Sequence, residues 1–189
     1  ELGDRVARLA GVLKELGVGA GDRIALMAMN SSRYVEVLFG VPWAGGVFSL
    51  VNIRWNIDEV AYGLQDSGAR ILIVDDAFAP MVPALLEAVP ELESVIFTGD
   101  GQCPNGLLCY ETLLAAAHPI TDAYRKGDDL AGIFYTGGTT GTPKGVMLSH
   151  ANLMTFAVTA ALMSGVQRQT RMLHCAPLFH IAGMGFLLM

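Results

Sequence analysis

Four apolar runs of strand length begin at residues 23, 47, 70 and 94, and they restrict the possible folds more than any other feature of this chain. The starts recur every 22 to 25 residues, the length of a strand plus a crossover helix, so the period is that of βαβ units rather than of a solenoid. Ile71-Leu72-Ile73-Val74 has no polar alternation, which fits a parallel strand covered on both faces. Strands are expected at 23–29, 47–51, 70–74, 94–98 and 130–135. Helical spacing of Val6, Leu9, Ala10, Leu13 and Leu16 predicts a helix that Asp4 is placed to cap and Gly17 to end. A second helix starts near Ser31 and bends or stops at Pro42. Asn56 with Glu59 forms a capping-box start for a third, running to Ser67. Further helices are expected near 81–89 and 110–117, with a turn at 102–106. The fold class is therefore α/β, a parallel or mixed sheet with helices on both faces.

After the strand at 130–135 the chain reads Tyr135-Thr136-Gly137-Gly138-Thr139-Thr140-Gly141-Thr142-Pro143-Lys144-Gly145-Val146. Glycines let backbone N–H groups converge on one concavity, hydroxyls add neutral donors, and a lysine adds a compact positive charge. A polyphosphate site asks for that combination; a Gly- and Thr-rich hairpin tip is the plainer alternative. Pro143 and Gly145 flank the lysine, so this is not a Walker loop, and no G-x-G-x-x-G opens a helix. Val146-Met147-Leu148 reads as a further strand, with a helix beginning near His150.

Charge is unevenly placed. All eighteen Asp and Glu lie in residues 1–129 with nine of the twelve Lys and Arg, a formal −9, whereas 130–189 hold only Lys144, Arg168 and Arg171. Freedom from carboxylates suits a bound anion, and it also suits a buried stretch. A net charge of −6 excludes a general nucleic-acid binder. With 52% hydrophobic residues, disorder is excluded too. The low share of charged residues, 16%, suggests that further protein covers much of the surface. No run approaches the roughly 20 apolar residues of a membrane span, and no secretory signal is visible. Cys103, Cys109 and Cys175 lack metal-site spacing and read as reduced thiols of a cytoplasmic protein. The chain opens without Met and stops inside the apolar run 183–189, so part of a longer polypeptide is expected.

The residues from Tyr135 to Val146, followed by Ser149-His150-Ala151-Asn152-Leu153, resemble the phosphate-binding signature of the adenylate-forming superfamily. Acyl- and aryl-CoA synthetases, peptide-synthetase adenylation domains and luciferases belong to it. Gly21-Asp22-Arg23-Ile24-Ala25, Asp66-Ser67-Gly68-Ala69 and Pro177-Leu178-Phe179-His180-Ile181-Ala182-Gly183 resemble further family motifs, so the likeness covers nearly the whole chain. Gly137 departs from the pattern, standing where many members have Ser.

The resemblance implies the first part of a large N-terminal domain, with the remainder and a C-terminal lid absent from these 189 residues. It implies a reaction in two halves: a carboxylate attacks Mg-ATP to give an acyl-adenylate and pyrophosphate, and a thiol, usually of coenzyme A, then displaces AMP. By resemblance, Gly137, Gly138, Thr139, Thr140, Gly141 and Lys144 hold ATP phosphates, and Lys144 serves catalysis. Thr136 helps hold ATP and magnesium with a Glu absent from these residues. His180 orients the acyl carboxylate or gates its pocket; the alternative is a core histidine. His150 is expected to start a helix. His174 and Cys175 are expected to point to opposite faces of a strand, and Arg168 and Arg171 to be solvated.

Pro177-Leu178-Phe179-His180 resembles fatty-acyl ligases more than amino-acid-activating domains, which favours a medium- or long-chain fatty acid over an aryl or other small acid. ATP, magnesium, coenzyme A and a carboxylic acid are the implied partners, and a homo-oligomer is left open. The 189 residues alone are expected to be inactive, and a non-catalytic nucleotide-binding fragment remains the reading of a different class.

Overall fold

The computed structural model describes residues 1–136 and 142–189. Seven strands form one sheet: β1 (Arg23–Met27), β2 (Val47–Leu50), β3 (Ala69–Val74), β4 (Ser94–Phe97), β5 (Leu108–Cys109), β6 (Leu130–Thr136) and β7 (Lys144–Ser149). Their order is β5-β4-β3-β1-β2-β6-β7, and only the last pair is antiparallel. The helices are α1 (Leu2–Glu15), α2 (Ser32–Trp43), α3 (Ile57–Ser67), α4 (Val82–Ala88), α5 (Tyr110–Ala116), α6 (His150–Ser164) and α7 (Ile181–Leu187).

Alternation along the strands builds two cores. Ile24, Leu26, Ile71 and Ile73 point to a core shared with α1, α2, α5, α6 and α7. Ala25, Met27, Leu72 and Val74 point to the other face, under α3 and α4. Helices on both faces follow, because each of these strands is apolar on both sides.

Local signals set most boundaries. Ser31 caps α2 by accepting from the Tyr34 N–H, and Asn56 and Glu59 make the reciprocal box that opens α3. Gly68 closes α3 in a left-handed conformation at φ 65°. Three expectations need correction. Asp4 does not cap α1: the helix starts at Leu2, and Asp4 accepts from Arg8 Nε at 2.8 Å within the first turn. β1 stops at Met27 rather than 29, because the Met29 N–H turns aside to the Asp75 carboxylate. His174 and Cys175, expected on a strand, carry no regular structure, since no ladder forms there among the described residues.

The cysteines also differ from expectation. Cys103 and Cys109 form a disulfide with Cα atoms 5.8 Å apart, and only Cys175 is free. A turn closed by the Leu107 N–H on Pro104 O brings the pair together, which an odd count and a search for metal spacing do not reveal.

Within these 189 residues the acid-free segment is buried only in part: β6 is largely covered. β7 is largely exposed, and α6 buries only Leu153 and Ala157 while Met154, Val158 and Leu162 face outward. No helix among the described residues is long and apolar enough to cross a membrane.

Under α1, α2 and α5 lies an ionic network. The Arg5 guanidinium donates from Nε to Glu36 Oε1 at 2.6 Å and from Nη2 to Glu111 Oε1 at 2.9 Å. The Tyr110 hydroxyl donates to Glu36 Oε2 at 2.8 Å, and Arg33 joins Glu111 to Asp100. Glu36 is 4% exposed, so its charge depends on these donors. Arg5→Met leaves that carboxylate short of its cation and should lower stability by about 3 kcal/mol in urea unfolding. Hydrogen bonds from Arg5, and next from Arg33, hold the Glu111 carboxyl below its ordinary 4.5 against a burial effect that raises it. A depressed carboxyl stabilises the fold at neutral pH and loses that contribution as pH falls through its folded value. Glu111→Gln should therefore flatten the fall in unfolding free energy between pH 5 and 3, as measured by denaturant titration at each pH.

Candidate functional site

Parallel strands place their carboxyl ends at one edge, and Thr136 and Lys144 lie there. Thr136 ends β6 and Lys144 opens β7, directly paired across the antiparallel ladder. The Thr136 hydroxyl lies 3.4 Å from the Lys144 carbonyl oxygen, and both residues are exposed. The structure thus brings Thr136 and Lys144 together at the two ends of the Gly- and Thr-rich connection. Gly137, Gly138, Thr139, Thr140 and Gly141 lie outside the described residues.

The base of this connection is pinned to α3. Tyr135 Oη donates to Asp66 Oδ2 at 2.7 Å, with Gly63 O at 3.2 Å as a second acceptor, and its ring meets Trp55 edge-on at 5.4 Å between centroids. Burial, and then the Asp66 carboxylate, pushes the phenol pKa up, so Tyr135 stays a donor throughout the physiological range. Double-mutant analysis with Tyr135→Phe and Asp66→Asn should give a coupling of about 1 kcal/mol in unfolding free energy.

The 177–183 segment arrives at the same edge. His180 is exposed and caps α7, its Nδ1 accepting from the Ala182 N–H at 3.2 Å. It is not a core histidine. A nitrogen that accepts carries no proton, so the neutral ring holds its proton on Nε2, a donor suited to a carboxylate oxygen. His150 opens α6 as expected; burial lowers its pKa, and its Nε2 has no partner among the described residues. Arg168 and Arg171 are exposed, as expected.

Sequence reasoning missed three features. Asp66 was visible only as part of a helix-to-strand turn, and nothing local links it to Tyr135. Asn30 bonds residues near 177 across the fold. An apolar cavity of about 470 Å³ opens among α1, α2, α6 and α7, walled in part by Phe39, Trp43, Leu153, Met184 and Leu188.

Among the described residues no cluster of three or more His, Cys, Asp or Glu is placed to hold a metal. Among the described residues Thr136 could offer one oxygen to a magnesium ion, the other ligands being the Glu absent from these residues, a nucleotide and water.

Residues 1–189 match the family described as AMP-binding enzymes. The chain belongs to that family. Its relatives include the long-chain-fatty-acid–CoA ligase of Thermus thermophilus, 35% identical over 96% of this chain and 33% of that protein. They also include feruloyl-CoA synthase from an Amycolatopsis species, 39% identical over 98% and 35%. Among solved structures, an anthranilate-CoA ligase in complex with anthranoyl-AMP superposes with TM-score 0.89 at 28% identity, over 97% of this chain and 36% of that one. The inhibitor-bound N-terminal domain of FACL13 from Mycobacterium tuberculosis gives 0.85 at 29% identity, over 99% and 46%. This AMP-binding enzyme chain spans about a third of the length of the curated relatives it matches.

Proposed function

We propose that the intact protein activates a carboxylic acid with ATP, forming an acyl-adenylate and pyrophosphate, and then passes the acyl group to coenzyme A. The observation that carries this reading is the pairing of Thr136 with Lys144 at the carboxyl edge, at either end of a connection rich in Gly and Thr. Family membership and CoA-ligase relatives support it. The residues now described form part of the N-terminal domain.

In this reading Gly137 to Gly141 and Lys144 cradle the departing phosphates. Lys144 supplies positive charge where negative charge grows, which is the main demand of phosphoryl-type chemistry. Thr136 offers an oxygen for magnesium, which when bound neutralises phosphate charge. His180 donates from Nε2 to the acid's carboxylate and orients it for attack. A medium- or long-chain fatty acid is our proposed substrate: Met184 and Leu188, one and two turns along from His180, line the apolar cavity. The 39% identity to feruloyl-CoA synthase favours a second reading, an aryl acid. The use of ATP and coenzyme A supports a cytoplasmic location.

Lys144→Ala in the intact protein should slow acid-dependent ATP–pyrophosphate exchange by about a hundredfold while thioester formation from supplied acyl-adenylate changes little. Equal slowing of both half-reactions would remove Lys144 from this role. Exchange with fatty acids, benzoates or neither distinguishes the two substrate readings from a non-catalytic nucleotide binder. Residues 1–189 alone should form no adenylate.

A further inference from the structure

Residue 30 stands where β1 leaves the sheet, and its side chain meets a part of the chain nearly 150 residues away. Asn30 Nδ2 donates to the Ala176 carbonyl at 2.8 Å, and its Oδ1 accepts from the Leu178 N–H at 2.9 Å. One amide thus satisfies both a carbonyl and an N–H of an otherwise irregular segment, as a neighbouring strand would. Among the described hydrogen bonds, these two are the ones that join residues 176–188 to the rest of the fold.

The segment beyond the clamp is stiff. Leu178 is 3% exposed and sits in the core shared with α2 and α6. The His180 N–H bonds Pro177 O at 3.2 Å, and the His180 carbonyl accepts from Met184. Gly183 packs so tightly that a Cβ there would collide with the Pro177 carbonyl oxygen. Residues 177–183 are thus bonded and packed against one another, so whatever fixes their entry bears on the direction of the His180 ring.

The anchoring point has a topological meaning. From β1 the chain crosses by α2 to one face, and from β3 by α4 to the other, so β1 and β3 border a switch point. In open α/β sheets the crevice at such a point, beyond the carboxyl ends, is where ligands bind.

We propose that Asn30 is a positioning residue: its amide clamps the backbone of Ala176 and Leu178 at this switch point and so holds His180 toward the carboxylic acid. The clamp stands on geometry alone; its effect on the acid rests on the proposed function. Asn30 touches no reacting atom. Its loss misaims a group that binds one substrate and leaves the phosphate loop, at the end of β6, in place.

The test uses the intact protein with Asn30→Ala and Asn30→Asp. In the alanine variant the Leu178 amide should exchange with deuterium about tenfold faster or more, while β1 and β3 amides keep their protection. The aspartate variant keeps an acceptor for the Leu178 N–H but loses the donor to Ala176, so Leu178 protection should persist. In ATP–pyrophosphate exchange, both variants should raise KM for the acid about tenfold while KM for ATP stays within about twofold. Unchanged Leu178 exchange in the alanine variant overturns the clamp. Parallel increases in both KM values overturn the positioning role and mark a general loosening. If the unsubstituted protein shows no acid-dependent exchange, the proposed function and the acid-positioning role both fail, and Leu178 exchange alone decides the clamp.

Discussion

The inner strands β1 and β3 are apolar on both faces, and much of the architecture follows from that constraint. Neither face tolerates water, so the chain must cover both, and it does so by crossing between parallel strands through helices. Parallel crossovers bring the carboxyl ends of β1, β2, β3, β4 and β6 to one edge. Thr136, Asn30 and the turn before His180 share that edge for this reason, although they lie far apart in the chain. The sheet's hydrophobic requirement thereby creates the setting for polar chemistry.

The helical layer on one face carries a further demand. Glu36 sits on α2 beneath α1 and α5, and its carboxylate is bonded by Arg5 and Tyr110 rather than by water. Breaking such a set leaves an unpaired buried charge, so α1, α2 and α5 are tied in register more strictly than apolar packing alone requires. Among the described residues α6 has no comparable tie, and it leaves Met154, Val158 and Leu162 exposed. The two ends of this helical layer therefore differ in kind: one is locked by charge, and the other presents an apolar face.

Legibility in the sequence followed the range of the interaction. Helix caps such as Ser31 and the Asn56–Glu59 box depend on residues three apart and were readable. β1 to β4 and β6 were readable because burial on two faces removes polar alternation, whereas the two half-buried residues of β5 gave no such signal. Asp4 misled because a carboxylate in a first turn suits the helix dipole as well as a cap. β1 ended early because Asp75, 46 positions away from Met29, captures its N–H. The Cys103–Cys109 link depends on a turn geometry that spacing does not encode. Thr136 and Lys144 stood out through the Gly-, Thr- and Lys-containing motif, and the structure pairs them across a hairpin. Asn30 and Asp66 were not, since each acts on a partner about 70 to 150 positions distant.

Those two long-range contacts clarify the acid-free stretch. Residues 130–189 hold no carboxylate, and within these 189 residues β7 and much of α6 are exposed. The stretch is nevertheless fastened by polar groups from residues 1–129: Asp66 accepts from Tyr135, and Asn30 both donates and accepts. Asp66 grips the base of the connection through a phenol two thirds of the way along the chain, and Asn30 is a neutral amide. The polar fastening thus comes from behind the edge and adds no carboxylate of the stretch's own beside Lys144. The anion site proposed at Lys144 gains from that division, because negative charge close to the lysine would compete with such a ligand.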